Sequence, residues 1–410
     1  MAEKKTAEKE VKVLSVKDIA KKINKACKDW DILSGGVFSK NLKKLSLGSL
    51  GFDLPFKGGL PYGQQVTISG VEHSGKTTVA ALAVSQYQQE NPDKVCIYVD
   101  AENTLLTQAD YFQTIMDISY DPEHFLRYDC AGRSAEEIFK DLISLQMADN
   151  IGMIVIDSAR ALVSQADLDA DFEKDNGQRS SIAKPLGKFI KQMTMYLPKR
   201  NNILVIINQV TVEKTAFATS YTEPCGYSLK YFPAVKIRLA TRTFTYGEKT
   251  NYKASELKTI NEDGIQLHFA VVKSRIGGIG GSGGSITIRY NQGVDAVYDL
   301  LHIAIPAGYI SRPSTKSYGL VDLTSGELLQ YEGAQLLFNK YEDLESFLRA
   351  HPDFVKSYSK MICDYVANSK KSINLLDEET FNSLMEQEEA TCPSNMTEAE
   401  ALAADGVDDE

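Results

Sequence analysis

Residues 65–78 read QVTISGVEHSGKTT, and the fold turns on how that stretch is read. Val66 to Ser69 is a short β-prone run. Gly70-Val71-Glu72-His73-Ser74-Gly75-Lys76-Thr77 then matches GxxxxGK[ST], and an apolar helix-forming run, TVAALAVSQYQQE, comes next. Strand, glycine-rich loop, helix is the setting in which such a loop cradles phosphates. Gly70 and Gly75 let backbone N–H groups turn inward, and the helix N-terminus behind them favours an anion. The expected cradle is Gly70, Val71, Glu72, His73, Ser74, Gly75, Lys76, Thr77 and Thr78. Lys76 would reach the outer phosphates and the Thr77 hydroxyl would hold Mg2+. His73 lies between the glycines, where residue type is loosely constrained, and is given no catalytic role.

Working outward, Asn91-Pro92 should close the helix that starts at Gly75. Val95–Val99 (VCIYV) is a continuous apolar run, the mark of a strand buried on both faces, and it ends in Asp100-Ala101-Glu102-Asn103. A helix is expected over 134–148, with Ser134 and Glu137 as a capping box. Met153–Ile156 is a second buried strand, ending in Asp157-Ser158, and Ile203–Ile207 a third, ending in Asn208-Gln209. Carboxylates and amides at such strand ends fall where ligands bind in open parallel sheets, and an apolar strand ending in Asp suits the Mg2+ side of a phosphate loop. Each also has a plain structural use, since Asp157 can cap a helix and an Asn-Gln pair can satisfy loop backbone. Strands alternate with helices over 65–209, which predicts an α/β fold with a mostly parallel central sheet. Val235–Ala240, Ile265–Val272 and Ser285–Tyr290 alternate more clearly and predict an antiparallel extension.

The chain has 410 residues, enough for two or three domains, with 43% apolar and 24% charged residues. No apolar run approaches the ~20 residues of a membrane span. The opening MAEKKTAEKEVK is charged rather than apolar, so a cytoplasmic location without membrane contact is expected. Six cysteines without CxxC spacing read as reduced thiols rather than a metal site. The net charge of −10 is unevenly spread: residues 376–410 carry twelve Asp/Glu and no Lys or Arg, while residues 1–44 carry twelve Lys against six Asp/Glu. A basic head with an acidic tail suits a nucleic-acid protein whose tail competes with its ligand; it suits simple solubility equally well. The expected organisation is a basic helical oligomerisation segment over 1–44, its amphipathic helix at 15–28 packing on its own body or docking on a neighbouring subunit, a core over 45–293, a small α+β segment over 294–370 and a disordered acidic tail over 371–410. Trp30 reads as packing for the head helix, and Tyr358 and Tyr365 as core of the small segment.

Two long stretches poor in structure signals, Gln165–Ser181 and Val210–Tyr227, come after the strands ending at Asp157 and Gln209. Loops this long beside a ligand site are usually functional. Gly277–Gly284 (GGIGGSGG) reads as a flexible connector.

Seven motifs in order carry a resemblance: GSLGFDLPFKGGLPYG, GVEHSGKTT, YVDAEN, MIVIDSARAL, VIINQV, GYSLKYFPAVKIRL and AVVKSRIGG. Across roughly residues 45–310 they resemble the RecA family of DNA strand-exchange recombinases, with a phage-encoded member as one form. The resemblance implies a RecA-like P-loop ATPase core that uses ATP and Mg2+. It also implies a helical homo-oligomeric filament on single-stranded DNA, strand exchange with homologous double-stranded DNA, and single-strand-binding and mediator proteins as partners. By it Glu102 orients and deprotonates the attacking water, Asp157 holds Mg2+ through water, Gln209 senses the γ-phosphate and Tyr111 stacks on adenine. Lys273 and Arg275 reach across a subunit seam to a neighbour's γ-phosphate, with Lys230 and Tyr231 on the same seam. The two long loops become DNA-binding loops, with Arg179, Lys184, Lys188 and Lys191 in or after the first and Lys214 and Phe217 in the second. Pro185 suggests a helix start that puts Lys188 and Lys191 on one face; a solvated helix face would place them the same way.

The first loop departs from the family pattern in being acidic before Arg179, and the second in having few glycines before Gly226. A ring-shaped helicase on the same core, or a nucleotide-gated filament mediator, stays open beside the recombinase.

Overall fold

Apolar strands and helices assemble into a ten-stranded sheet with helices on both faces. The computed structural model describes Lys25 and residues 42–170, 182–214, 219–240, 243–246, 262–276, 281–369 and 373–391. The chain divides after Leu42, and the unit from Lys43 onward holds the sheet. The expected head helix falls outside the described residues except for Lys25, which is helical, and Trp30 falls outside them too.

The phosphate-loop strand β1 (Gln65–Gly70) sits mid-sheet. After it come β2 (Val95–Asp100), β3 (Phe125–Tyr128), β4 (Ile151–Asp157), β5 (Ile203–Gln209), a hairpin of β6 (Thr211–Lys214) and β7 (Thr219–Thr222), then β8 (Val235–Leu239), β9 (Thr243–Tyr246), β10 (Glu262–Ser274), β11 (Ser282–Arg289) and β12 (Gly293–Val294). The order across the sheet is β12-β11-β10-β8-β1-β5-β4-β2-β3, with β9 also on β10. The neighbours from β8 to β3 are parallel; β8–β10, β10–β11, β11–β12 and β9–β10 are antiparallel. The α/β architecture with its antiparallel extension is thus as the periodicity indicates.

Side-chain alternation builds the two layers. Val205 and Ile207 of β5 face one core with Val66, Ile68 and helix α2 (Lys76–Glu90), whose buried positions run Val79 to Val84. Leu204 and Ile206 face the other, with α4 (Ala135–Leu145) and α6 (Ala183–Arg200). Between them in sequence lie the short α3 (Ala109–Thr114) and α5 (Gln165–Leu168). The Ser134–Glu137 capping box forms as expected. Ahead of the sheet, the short α1 (Leu50–Asp53) carries Phe52, which meets Phe56 and Phe269 of β10.

Beyond α7 (Ser228–Tyr231), the C-terminal segment has α8 (Ala296–Ala304), a small antiparallel sheet of β13 (Ile310–Ser314), β14 (Ser317–Leu320) and β15 (Leu337–Phe338), then α9 (Tyr341–Ala350) and α10 (Pro352–Asn368). Its core takes in Leu50 and Leu54 from upstream of the large sheet, so the segment shares its core with the chain ahead of β1. Tyr358 is buried and donates to the Tyr309 carbonyl; Tyr365, two turns further along nearly the same face, is 46% exposed, contrary to expectation, and meets only the edge of the Tyr309 ring near the end of α10.

Three irregular segments differ from expectation. The glycine-rich 277–284 is more than a connector: its described end enters β11. A Cβ at Gly284 would lie 2.1 Å from the Gly51 carbonyl oxygen, so a close backbone crossing demands glycine there. The stretch 210–227 contains the β6–β7 hairpin, paired from Thr211↔Thr222 to Lys214↔Thr219, as its Thr-Val and Ser-Tyr content permits. The acidic tail is partly ordered: α11 (Glu378–Thr391) packs against β7 and β10, with Leu384 buried and the Leu375 N–H donating to the Gly283 carbonyl. Residues 392–410 lie outside the described residues.

Two buried carboxylates bind α1 to its surroundings. Burial pushes Asp53 up to about 7 against hydrogen bonds from Ser46 and the Leu47 N–H, and Asp299, which accepts from Ser49, likewise up to about 7. A carboxyl with a higher pKa folded than unfolded binds more protons in the native state, so stability falls as pH rises between the two values. The urea midpoint is therefore expected to drop between pH 5 and pH 8. Asp299→Asn should flatten that drop; an unchanged slope would refute the assignment.

Candidate active site

The carboxyl ends of β1, β5, β4 and β2 bring the sequence-predicted residues together, as parallel sheets do. Gly70 is abreast of Gln209, and Asp100 of Asp157. Gly75 caps α2 with φ 89, and a Cβ there would meet the Leu267 side chain at 2.6 Å, so the turn tolerates only glycine. Ser74 is buried and donates to the Val71 carbonyl; Glu72 and His73 project outward, 3.5 Å from each other, and Thr78 is half-buried.

Lys76 starts α2 and donates to the Val71 carbonyl (2.7 Å), so its ammonium lies inside the loop. Burial lowers its pKa, and the carboxylates of Glu102, Asp157 and Glu72 oppose that. Thr77 Oγ1 donates to Asp157 Oδ2 (2.8 Å), which also accepts from the Tyr98 hydroxyl (2.7 Å). Burial raises Asp157 to about 6 despite those two donors. A hydroxyl and a buried carboxylate converging beside a lysine form an all-oxygen donor set that fits Mg2+. Glu102 is exposed after β2 and accepts from Ser158 Oγ, which fixes its position at the rim.

Other expected residues stand apart. Tyr111 on α3 is half-buried, leaning on Phe112. Lys273 donates to the Lys230 and Tyr231 carbonyls (2.7 and 2.6 Å), and Arg275 to Tyr231, at the C-terminal end of α7. The Arg275 N–H bonds Ala234, which bonds Gln65, so both cations sit by the start of β1. Gly70 is five residues further along, on the order of 15 Å at strand rise, which puts the two outside their own protomer's phosphate loop. Lys184, Lys188 and Lys191 form one exposed row on α6 with Met195. Lys214 ends β6; Arg179 and Phe217 lie outside the described residues.

Three contributors escape sequence reading: Tyr98 and Ser158, which brace Asp157 and Glu102, and Arg160, whose guanidinium meets Gln209 and Thr211. Tyr98 is hidden inside an apolar run, and each partner comes from another strand, so no local signal marks them.

A family model described as the RecA N-terminal domain matches residues 14–295. The chain belongs to the RecA family. Protein RecA of Azospirillum lipoferum (strain 4B) is 27% identical over 326 residues, covering 78% of this chain and 79% of that protein. Protein RecA of Paracoccus denitrificans is 26% identical over 324 residues, with 78% and 81% covered. Protein RecA of Blastochloris viridis is 26% identical over 320 residues, with 76% and 80% covered. No described helix is long and apolar enough to cross a membrane.

Proposed function

We propose that the chain is an ATP-dependent homologous recombinase: it forms helical filaments on single-stranded DNA, pairs that strand with homologous duplex and exchanges strands, hydrolysing ATP in a DNA-dependent way. The observation that carries this reading is the join between site and loops. Gln209, abreast of Gly70, is separated by one residue from the β6–β7 hairpin, and the strand ending at Asp157 leads through 159–161 into α5. A shift in either strand end on nucleotide binding is passed to a polynucleotide-gripping segment.

Thr77 and, through water, Asp157 would hold Mg2+, which neutralises developing phosphate charge when bound. Lys76 holds the outer phosphates. Glu102, steadied by Ser158, takes a proton from the attacking water, while Gln209 reads the γ-phosphate and Tyr111 stacks on adenine. Lys273 and Arg275 complete the neighbour's pocket with Lys230 and Tyr231 on the seam, so assembly controls hydrolysis. Arg179, Lys184, Lys188, Lys191 and Lys214 contact DNA phosphates, and Phe217 wedges between bases.

The test is ATP hydrolysis with and without single-stranded DNA, alongside electron microscopy of the protein with ATP and an oligonucleotide. Several-fold stimulation, weakening as salt rises, with open helical particles is expected; unstimulated hydrolysis by lone or ring-shaped particles would sink the reading. Glu102→Gln should cut turnover about 10²-fold or more while leaving ATP-dependent DNA binding in place; loss of both together would deny it the role of base. Deleting residues 376–410 removes twelve carboxylates along with the hairpin-packed α11, and should tighten duplex binding several-fold, most at low salt. Unchanged binding would return the tail to a solubility role.

A further inference from the structure

Arg160 lies three residues after Asp157, in the 3-10 turn Ala159–Ala161. It is exposed, yet its guanidinium faces inward along the sheet edge: Nη1 donates to Thr211 Oγ1 at 2.7 Å and reaches Gln209 Oε1 at 3.4 Å. One side chain thus joins three elements, the strand end bearing Asp157, the strand end bearing Gln209 and the first residue of the hairpin. The hairpin's return limb is tied to the same strand end, because Asn208 Nδ2 donates to the Pro224 carbonyl (2.8 Å). Arg160 is close enough to that limb for its charge to act on Cys225.

The chemistry of the contact is directional. A guanidinium only donates, so a Gln209 side chain next to it must offer its carbonyl oxygen and turn its NH2 the other way. A phosphate oxygen requires a donor, so Arg160 presents Gln209 with the useful end outward. Without it the amide is free to turn its oxygen toward an anion, which repels it. The 3.4 Å contact is at the long edge of hydrogen bonding, whereas the Thr211 contact is full strength. The guanidinium is therefore anchored on the hairpin and only reaches the amide, which is the geometry of a coupling element.

We propose that Arg160 is a positioning residue that ties the orientation of the Gln209 amide to the β6–β7 hairpin, so that the hairpin's grip on DNA depends on the bound nucleotide. This rests on the recombinase reading. The experiment measures single-stranded DNA affinity by fluorescence anisotropy with a non-hydrolysable ATP analogue and with ADP, and takes the ratio of the two. The wild type is expected to show a large ratio. Arg160→Ala and Thr211→Val should each reduce it by about tenfold, and the double variant should lose no more than either alone, because both cut one linkage. Arg160→Lys keeps the charge but replaces the planar fork with a single point donor, and should remain deficient.

If Arg160→Ala weakens DNA binding equally with both nucleotides, or Arg160→Lys restores the ratio fully, Arg160 is a plain electrostatic contact and the proposal is overturned. Additive losses in the double variant would overturn it too. Should Arg160→Ala fail to fold, Thr211→Val alone decides: an undiminished ratio rejects the coupling. A wild type whose affinity ignores the nucleotide would overturn the recombinase reading along with this one, while a gated wild type with gated variants rejects only Arg160.

Discussion

Lys76→Ala is expected to reduce ATP hydrolysis by about 10²–10³-fold or more, the scale of losing one preorganised donor to transition-state charge. The Lys76 ammonium is held within the phosphate loop on the Val71 carbonyl, where burial disfavours its charge and only nearby carboxylates oppose that. A carbonyl is a poor substitute for an anion, so a desolvated cation in that position favours a phosphate strongly. Alanine is a good helix former and the Gly75 cap is untouched, so α2 should still start at the same place. Lys76→Arg should not rescue, because the enclosed loop suits a compact point charge rather than a planar fork. Steady-state hydrolysis with equilibrium nucleotide binding checks both, against a melting curve for folding. Near-normal turnover in a folded Lys76→Ala protein would remove the phosphate-cradle assignment.

The second large effect concerns Lys273 and Arg275. Replacing either with alanine should reduce DNA-stimulated hydrolysis by about 10³-fold or more, as for cations supplied in trans, and leave nucleotide binding to the protomer's own loop intact. Position along the sheet supports this: the two belong to the start of β1 and the phosphate loop to its end. In the isolated chain they hold the last carbonyls of α7, a favourable place for cations, so a loss could also come from fraying that helix. Mixing separates the causes. An Arg275→Ala protomer keeps a sound loop and a Lys76→Ala protomer keeps sound cations, so a filament containing both should regain hydrolysis that neither shows alone. No recovery in mixed filaments would place the defect inside the protomer and refute completion by a neighbour.

Much of the site is legible in the sequence because its signals are local. The phosphate loop needs glycine at fixed spacing, a lysine and a hydroxyl, all within eight residues. Buried parallel strands announce themselves as continuous apolar runs, and their polar terminators, Asp157 and Gln209, fall at the ligand edge by the rule of the fold. Sequence reading goes wrong where a segment's state depends on what it meets. Residues 210–227 contain no strong strand signal, but Thr211 and Thr222 pair antiparallel. Gly284 resembles a linker residue until Gly51 is seen pressed against it. The acidic tail has the composition of a solvated segment, yet Leu384 buries itself near the hairpin and orders a helix.

By itself the sequence determined the kind of fold, the phosphate-binding loop and the strand-end carboxylate and amide, since each comes from spacing along a few residues. Only the tertiary structure decided which side chains act on one another. Tyr98 on Asp157, Ser158 on Glu102 and Arg160 on Gln209 join residues of different strands, and hydrogen bonds of that kind depend on distances of a few tenths of an ångström between chain segments that no periodicity encodes.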